Sequence, residues 1–449
     1  MEREGSGQVR LRNDTLSIFR SALAAVDPEE AVHRHVRIGG GSSLAVEGRR
    51  YDLSACKRIL VAGAGKAVAP MAKALEDLLG DRIADGVLVV KDGHGLPLKK
   101  IRIHEASHPV PDERGVAGTL EILELLEGAD ERDLVICLIS GGGSALLIAP
   151  SEGISLADKQ ATTKNLLACG ATIHEINTIR KHLSRAKGGQ LARAAHPARM
   201  LSLILSDVVG DDLDVIGSGP TVPDRSTFQN TMDIFKRYDI WDRIPNSVRE
   251  RVVQGVKAAL PETPKPGDPA FEGGTQILVG SCLRALNAAA ESAEGKGYRS
   301  IILSSKVEGE AREVAKAFAA IGKEVNSSSH PLKPPACVLM GGETTVTLQG
   351  DGRGGRNQEF VLAGAIALDG IEQVVLLAGG TDGTDGPTDA AGALADGLTI
   401  QRARALSMDP HAFLKRNDSY HFFKPLDDLI ITGPTRTNVM DIYMILIGA

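Results

Sequence analysis

Short apolar runs alternate with amphipathic stretches along most of the chain. Continuous apolar runs, such as residues 57–63 and 133–140, predict strands of a sheet that is covered on both faces. Stretches with apolar residues at intervals of three or four, such as 66–80 and 113–127, predict the helices between them. Other strands are predicted at 86–90, 101–106 and 200–207, and other helices at 15–26, 155–169 and 173–194. The alternation predicts an α/β protein with largely parallel sheets.

A Pro- and Gly-rich stretch at 261–274 interrupts this pattern within a more polar region, 224–270. We predict a domain boundary there, because Pro and Gly disfavour regular structure. A second strand–helix series starts with a strand at 275–281. Its later strands are predicted at 298–305, 336–343, 344–348, 374–380, 428–434 and 441–448, and its helices at 282–295, 309–323 and 357–368. The chain is therefore expected to form two α/β domains, 14–265 and 275–449.

The overall composition is that of an ordinary globular protein. The chain has 449 residues, 43% of them hydrophobic, and a formal net charge of −6, so its charge balance does not favour nucleic acid or a membrane surface as a partner. No apolar run reaches the ~18 residues of a membrane span, and the first residues lack the apolar core of a signal peptide. The five cysteines lie far apart in the sequence, which predicts free thiols and a cytoplasmic protein.

Polar, glycine-rich segments follow many of the predicted strands. In open α/β sheets, ligands bind beyond the carboxyl ends of the strands. Because such segments come from both predicted domains, we expect the active site in the cleft between the domains. The segments are 63–67, 140–147, 206–212, 341–344, 379–392 and 432–438.

The first of these segments, GAGKA, places Lys66 between a strand and a helix. A Walker A loop requires Ser or Thr after the lysine, and position 67 is Ala. Gly63 and Gly65 fit a dinucleotide fingerprint, but its third glycine falls on Val68. A cation is unfavourable at a helix N-terminus. Lys66 is therefore either a solvated surface lysine or, as we favour, the partner of an anionic ligand.

The second segment, SGGGSALL, predicts a turn whose backbone N–H groups point inward. Such nests bind phosphate or carboxylate groups. A tight turn without a ligand is the plainer alternative. A nucleophilic serine is disfavoured, because the nucleophile elbow needs Gly two residues later and position 146 is Leu. The candidate binding residues are Ser140, Gly141, Gly142, Gly143 and Ser144.

A basic helix and an acidic turn supply further candidates. Residues 177–189 carry four cations within eight residues, which is usual for a solvated helix face. Gly188 and Gly189 end this helix, so that Lys187 could approach a ligand. Asp207 lies at the carboxyl end of the predicted strand 200–207, a common position for a Mg²⁺ ligand in phosphoryl transfer.

The segment GDGRGGRNQEF places Arg353 and Arg356 in a glycine-rich turn, with Asn357 opening a helix. The planar guanidinium group binds phosphate or carboxylate through two hydrogen bonds. Arg356 is therefore a candidate catalytic cation and Asn357 a candidate ligand-binding residue. Glu343, in the segment 341–344 after another strand, is a further candidate.

The segment GGTDGTDGPTDAAG at 379–392 follows a buried strand and is rich in carboxylates and hydroxyls. It is not an EF-hand: counted from Asp382, position 5 is Gly386 and position 6 is Pro387. We expect Asp382 and Asp385 to face a ligand, whereas Asp389 could equally cap a turn. The candidate binding residues are Thr381, Asp382, Gly383, Thr384 and Asp385.

Taken together, these segments resemble the class II glycerate kinases, the glycerate 2-kinases whose C-terminal part is the MOFRL domain. The resemblance covers roughly residues 14–447. It rests on GAGKA, SGGGSALL, EINTIRKHLSRAKGGQLA, LILSDVVGDDLDVIGSGPTVPD, GGETTVTLQGDGRGGRNQEF and GGTDGTDGPTDAAGALADG.

The resemblance implies a Rossmann-like N-terminal domain and a smaller α/β C-terminal domain with the active site between them. It implies ATP-dependent phosphorylation of D-glycerate, usually at the 2-hydroxyl group, with Mg²⁺ as the divalent ion. The family's essential Lys and Arg fall on Lys66 and Arg356. Asp207, with Asp382 or Asp385, would hold Mg²⁺ or accept the proton of the substrate hydroxyl group.

Two other functions remain open at this stage. The first is an NAD(P)H-dependent hydroxypyruvate reductase. It would need the same carboxylate recognition as a glycerate kinase, but this sequence lacks the third glycine of the dinucleotide fingerprint. Its acid–base histidine would come from His94, His104 or His108, each of which can equally be structural. The second is a non-catalytic nucleotide sensor, which would need fewer charged loop residues. Either a monomer or a homodimer is compatible with the sequence.

Overall fold

The computed structural model describes residues 2–40 and 42–449, and the chain folds into two compact units. The N-terminal unit is Pro28–Val279. The C-terminal unit is Gly280–Ala449 together with the residues up to Asp27. Its first helix, α1 (Glu2–Ala25), packs through buried residues such as Phe19 against this second unit. The predicted first domain, 14–265, therefore includes a segment that belongs to the other unit.

A six-stranded sheet forms the core of the N-terminal unit. The strands are β1 Val36–Gly39, β2 Ser43–Val46, β3 Arg49–Asp52, β4 Ile59–Ala64, β5 Ile83–Lys91, β6 Ile101–Ala106, β7 Leu134–Ile139, β8 Arg199–Leu205 and β9 Thr275–Gly280. The sheet order is β6-β5-β4-β7-β8-β9, and the pairs from β6 to β8 are parallel. This is the strand order of doubly wound, Rossmann-like sheets, as predicted.

Two features of this unit differ from the prediction. The strand expected to open the second domain, β9, is the edge strand of the first sheet. The strands β1, β2 and β3 form a separate antiparallel sheet that the sequence analysis did not identify. These strands are only four residues long, too short to give a clear apolar pattern.

The helices of the N-terminal unit cover the sheet as the apolar periodicity indicates. They are α2 Pro28–His35, α3 Val68–Leu79, α4 Glu113–Glu127, α5 Gly143–Leu146, α6 Leu156–Ala168, α7 Ile173–His182, α8 Gln190–Ala195, α9 Phe228–Arg237 and α10 Asn246–Val256. The predicted helix 173–194 is split, because α7 already ends at His182 and α8 begins only after Gly189, whose φ of 80° is left-handed. Helices α9 and α10 lie in the polar region where no element was predicted.

A second six-stranded sheet forms the core of the C-terminal unit. Its strands are β10 Arg299–Val307, β11 Ala336–Gly342, β12 Val374–Gly380, β13 Gly392–Asp396, β14 Leu429–Ile430 and β15 Asp441–Ile447. The order is β10-β11-β15-β12-β13-β14. Pairing between β10 and β11 is parallel and the other pairings are antiparallel. The prediction of a largely parallel sheet is therefore wrong for this unit.

The helices of the C-terminal unit agree with the predicted ones where the periodicity is long. They are α11 Cys282–Gly295, α12 Ala311–Ser328, α13 Arg356–Ala367, α14 Thr399–Ala405, α15 Pro410–Lys415 and α16 Ser419–Phe423. The predicted strand 344–348 is absent, and Thr345 makes only an isolated bridge to Glu310. The predicted strand 428–434 shortens to β14. In the core, Phe360 of α13 stacks on Tyr443 of β15 with ring centroids 4.4 Å apart.

The position of β15 places its first residue beside two strand ends. Both β11 and β12 pair antiparallel with β15, and Asp441 is in register with Gly342 and with Gly380. The carboxyl ends of β11 and β12 therefore meet at the same edge of the sheet, where α13 also begins.

In residues 2–40 and 42–449 we find no helix both long and apolar enough to span a bilayer.

Candidate active site

Lys66 is held at the carboxyl end of β4 by the segment that follows β7. Its backbone N–H donates to the carbonyl group of Gly141 at 2.8 Å, and the N–H of Ala67 donates to the Ser140 hydroxyl group at 2.9 Å. A Cβ atom at Gly65, whose φ is 148°, would lie 2.1 Å from the Ser140 hydroxyl oxygen. Ser140 and Gly65 therefore support the loop, while the Lys66 side chain is only partly buried.

The Lys66 side chain lies over the glycine nest together with the ring of His108. A Cβ atom at Gly142, where φ is 82°, would lie 3.2 Å from Lys66 Cγ and 3.1 Å from the His108 ring. Burial, with the charges of Lys66, Lys91 and His94, lowers the pKa of His108 to about 4. The imidazole is thus neutral at pH 7. From the sequence, His108 was considered only for the reductase alternative, and its position beside Lys66 was not predicted.

A chain of hydroxyl groups extends from the nest into the unit. Ser144 Oγ lies 3.1 Å from Ser218 Oγ, and Ser218 donates to Asn177 Oδ1 at 3.0 Å. Ser218 is fully buried in the turn of 3₁₀ helix Ile216–Ser218. Across the described ranges, Ser144 has no histidine or carboxylate hydrogen-bond partner. The structure thus offers no general base for a nucleophilic serine.

Asp207 lies at the same edge of the sheet as Lys66. It follows β8, and β8, β7 and β4 are parallel neighbours whose carboxyl ends are in register. Within the part of the chain that the structure describes, no three His, Cys, Asp or Glu side chains are grouped so as to hold a metal ion. Mg²⁺ is commonly bound by one or two carboxylates together with substrate phosphates, so Asp207 has the donor chemistry it requires.

A pocket of roughly 580 Å³ adjoins Ser144, and we call it the basic pocket. Three cations that are at least half-buried line it, Lys159 of α6, Arg180 of α7 and Lys187, together with the exposed Lys164 of α6. Lys187 is fully buried, with Nζ 3.5 Å from the Gly217 carbonyl oxygen, and Lys159 Nζ donates to the Leu183 carbonyl group at 2.8 Å. Among the described residues, none of the three cations is within ion-pair distance of a carboxylate.

The charges in the basic pocket repel one another. Burial, followed by the charges of Lys159 and Arg180, lowers the pKa of Lys187 well below its ordinary value. Burial, followed by Arg180 and Arg251, lowers the pKa of Lys159 to about 7. Uncompensated buried cations are unfavourable unless a ligand neutralises them. Lys187 was predicted to reach a ligand, but Lys159 was not identified from the sequence and Arg180 was assigned to a solvated face.

We expect the variant Lys187→Met to be more stable than the wild type by about 1 kcal/mol or more at pH 7, because an unpaired buried amine is replaced by an apolar side chain. The folded-state pKa of Lys187 is lowered, so the unfolded chain binds more protons and wild-type stability rises as the pH approaches ~10.4. The advantage of the variant therefore shrinks with rising pH. Urea unfolding at pH 7 and 9.5 measures both effects.

Lys181 provides the control for this experiment. It is also buried, but its Nζ pairs with the carboxylates of Asp214 and Asp224. Lys181→Met leaves the buried Asp224 without its cation and should lower the free energy of unfolding by about 3 kcal/mol. If Lys187→Met were destabilised to the same extent as Lys181→Met, the unpaired state of Lys187 would be refuted.

Arg356 occupies the first position of α13 and contacts two acids. Its Nε and one Nη donate to the two carboxylate oxygens of Asp441 at 2.5 and 3.1 Å, and the other Nη donates to Glu343 at 2.5 Å. Asp441 is fully buried, whereas the Glu343 side chain is 45% exposed. Burial opposes the charge, but Asp441 and Glu343 hold the pKa of Arg356 above its ordinary value. Two of the five guanidinium N–H donors remain for a ligand.

Asp385, which we predicted to face a ligand, is buried against the N-terminus of α13. It is 2% exposed, and its carboxylate accepts the backbone N–H groups of Asn357 and Gln358 at 3.1 and 2.9 Å. The side-chain amides of the same two residues donate to it as well. Burial raises the pKa of Asp385 to about 6 against these hydrogen bonds. Asp385 and Asn357 thus fix the N-terminus of α13, a role that Gly355 at the N-cap cannot fill.

The other predicted residues of this loop divide into buried and accessible ones. Thr381 is buried and bonds to the Met440 carbonyl group and the Val439 N–H, which ties the loop to the start of β15. Asp382 is half-buried and its Oδ1 accepts the N–H and hydroxyl groups of the exposed Thr384, each at 3.0 Å. Gly383 has φ of 85°, and a Cβ atom there would collide with the Gly433 carbonyl oxygen at 2.1 Å.

We expect Asp385→Ala to lower the free energy of unfolding by about 2–3 kcal/mol, because it leaves buried N–H donors of α13 without an acceptor. Chemical denaturation followed by circular dichroism measures the loss. Asp389→Ala in the same loop is the control, since Asp389 is exposed and its carboxylate accepts the Tyr420 hydroxyl group. Equal midpoints for the two variants would contradict the capping role of Asp385.

Comparisons with known proteins agree with the two-part organisation. One family, described as a domain of unknown function (DUF4147), matches residues 14–253, and the MOFRL family matches residues 336–441. A D-glycerate 2-kinase from Thermotoga maritima is 45% identical over 439 residues, covering 97% of this chain and 98% of the relative. A glycerate 2-kinase from Pyrococcus horikoshii is 41% identical over 438 residues and 97% of each chain.

A solved structure shows the same fold. The crystal structure of glycerate kinase from Thermotoga maritima superposes with a TM-score of 0.86 at 42% sequence identity. The superposition covers 98% of this chain and 99% of that one. The fold similarity therefore extends over both units.

Proposed function

This chain belongs to the glycerate kinase family that carries a C-terminal MOFRL domain, and from that membership we propose that it transfers the γ-phosphoryl group of ATP to D-glycerate. The 2-hydroxyl group is the proposed acceptor, with 2-phosphoglycerate and ADP as products. The observation that carries this proposal is the glycine nest under Lys66, beside a pocket of buried cations that no carboxylate of the described residues neutralises. A polyphosphate ligand supplies the missing negative charge.

We assign the binding of phosphate groups to the N-terminal unit. The inward-pointing N–H groups of the nest and the Lys66 ammonium group would stabilise charge on the γ-phosphoryl group as it moves. Asp207 would bind Mg²⁺ or accept the proton of the glycerate hydroxyl group. Held at Asp207, Mg²⁺ would supply positive charge that offsets the negative charge of the phosphate groups.

We assign a second anion-binding group to Arg356. Its two remaining N–H donors can bind the carboxylate of glycerate or the transferring phosphoryl group in a planar, directional way. Asp441 and Glu343 fix the orientation of the guanidinium plane before a ligand binds. Such preorganisation is the main source of catalysis in phosphoryl transfer, where positioning and charge stabilisation dominate. Asp382, Gly383 and Thr384 remain proposed contacts to ligand hydroxyl groups or to Mg²⁺.

The geometry at β4 does not favour the alternative of an NAD(P)H-dependent reductase. The third glycine of the dinucleotide fingerprint allows close packing of helix against strand. Here Val68 occupies that position, is fully buried and begins α3. The pKa of His108 is lowered to about 4, so at pH 7 this imidazole is not the imidazolium that would protonate a carbonyl oxygen during hydride transfer.

One pair of assays tests the proposed function. The purified protein is incubated with D-glycerate and Mg-ATP while ADP is measured, and separately with hydroxypyruvate and NADH while NADH is measured. We expect ADP to form only when glycerate is present, and no oxidation of NADH. Oxidation of NADH would instead support the reductase, and inactivity in both assays would support a nucleotide sensor.

A further inference from the structure

The basic pocket is large and lined by several cations. The proposed reaction accounts for this lining only if a large, multiply charged substrate binds there. We propose that it is the nucleotide subsite: the phosphates of ATP contact Lys159, Arg180 and Lys187, and the adenine base rests on the apolar wall. This assignment rests on the proposed kinase function. It adds Lys159 and Arg180 as nucleotide-binding residues.

The charges that line the basic pocket favour a polyphosphate ligand. Four cations line one pocket, three of them at least half-buried, and in the described ranges none pairs with a carboxylate. Lys181, next to Arg180 on α7, shows that the same helix pairs its buried lysine when no ligand is needed, because Lys181 contacts Asp214 and Asp224. D-glycerate carries one negative charge and cannot compensate three cations. The triphosphate of ATP can.

The size and the apolar lining of the basic pocket also favour a nucleotide. The volume of roughly 580 Å³ is in the range of pockets that hold drug-sized ligands and far exceeds a three-carbon acid. One wall is apolar and includes Val110 and Leu167, whose side chains are 61% and 63% exposed. Large exposed apolar side chains at the rim of a pocket indicate a ligand surface. A flat base would cover them.

The position of the basic pocket beside the glycine nest indicates the direction in which the nucleotide lies. Ser144 belongs both to the glycine nest and to the lining of the basic pocket. Lys66 is bonded through its backbone to Gly141 of the same nest. The end of the pocket at Ser144 therefore leads to the proposed phosphoryl-transfer residues. The γ-phosphate would lie at this end, and the base at the end formed by α6 and Leu167.

Calorimetric titration with AMP-PNP and Mg²⁺ tests the phosphate half of the subsite. We expect Arg180→Leu to raise the Kd for AMP-PNP by about 10–100-fold, the effect of losing a charged hydrogen bond to phosphate. Arg185→Leu is the matched control, because Arg185 follows α7 and is 48% exposed but does not line the basic pocket. Its Kd should stay within about twofold of the wild type. Equal Kd values for the two variants would overturn the assignment.

A second variant tests the base half. Leu167→Ala should raise the Kd for AMP-PNP by about three- to tenfold, since apolar area is lost. It should leave the Kd for inorganic tripolyphosphate unchanged, whereas Arg180→Leu should weaken both ligands. Leu167 is exposed, so this substitution does not disturb the core. If Leu167→Ala weakened both ligands equally, or neither, the placement of the base would be overturned.

Failure of the subsite and failure of the kinase function give different results. If Arg180→Leu raises the KM for D-glycerate but not the Kd for AMP-PNP, the pocket holds the acid and the nucleotide assignment is wrong, although the wild type still forms ADP. If the wild type forms no ADP with glycerate but Arg180→Leu loses AMP-PNP binding, the nucleotide subsite stands and the kinase function fails.

Discussion

Replacing Arg356 with Met will lower kcat by about 10²–10³-fold and will also lower the free energy of unfolding by about 3–5 kcal/mol. The first effect follows from the loss of a preorganised charged donor at the proposed reaction centre. The second follows from Asp441, which is fully buried and bound by two guanidinium N–H groups. A buried carboxylate that loses its cation carries the full cost of its desolvation.

The double variant Arg356→Met/Asp441→Asn separates these two effects. It removes both charges, so most of the stability should return while turnover stays low. Arg404→Met serves as a surface control, because Arg404 is 65% exposed and pairs with Asp369. Denaturant titration and steady-state ADP formation provide the two readouts. A stable Arg356→Met variant with near-normal kcat would refute both the buried pair and the catalytic role.

Replacing Lys66 with Met will lower kcat by on the order of 10²-fold or more, with little change in stability. Lys66 is partly exposed, and the loop around it is held by backbone hydrogen bonds that the substitution retains. The lost group is the ammonium ion proposed to stabilise the moving phosphoryl group. Lys73→Met on α3 is the control, since Lys73, whose side chain is 41% exposed, pairs with Asp77. Unchanged turnover in folded Lys66→Met would remove Lys66 from the mechanism.

The same variant has a readout that does not depend on activity. The charge of Lys66 contributes to the lowered pKa of His108, after burial. Lys66→Met should therefore move the His108 pKa upward from about 4, while burial keeps it below 6.5. Titration of the imidazole signals by NMR measures the shift. An unchanged pKa would show that the Lys66 side chain does not lie over the nest.

The N-terminal unit could be predicted well because its strands are simple in sequence. β4 and β7 are continuous apolar runs that are fully buried, and glycine-rich turns follow each of them. Once parallel pairing is assumed, those turns must meet at one edge of the sheet, which brings Lys66 to the nest. The antiparallel direction of β15 could not be predicted in this way. A buried apolar run has the same sequence pattern whether it pairs parallel or antiparallel with its neighbour.

The roles of single charged residues were harder to predict. Asp382 and Asp385 occur in the same repeated motif, yet only Asp385 caps α13, because its partners lie 27 and 28 residues away in the sequence. Lys159 is one polar residue of an amphipathic helix, and its burial follows from tertiary packing around α6 and α7. Local sequence specifies the residue types of the site, whereas long-range packing decides which of them are paired.

³¹P NMR of the wild-type protein with D-glycerate and Mg-ATP tests the proposed kinase reaction itself. We predict loss of the γ-phosphate signal, growth of the ADP signals, and a new phosphomonoester signal whose proton coupling identifies 2-phosphoglycerate. A coupling pattern of 3-phosphoglycerate would correct the acceptor hydroxyl group. ATP that stays intact, or that yields only inorganic phosphate, would contradict the proposal that this chain is a glycerate kinase.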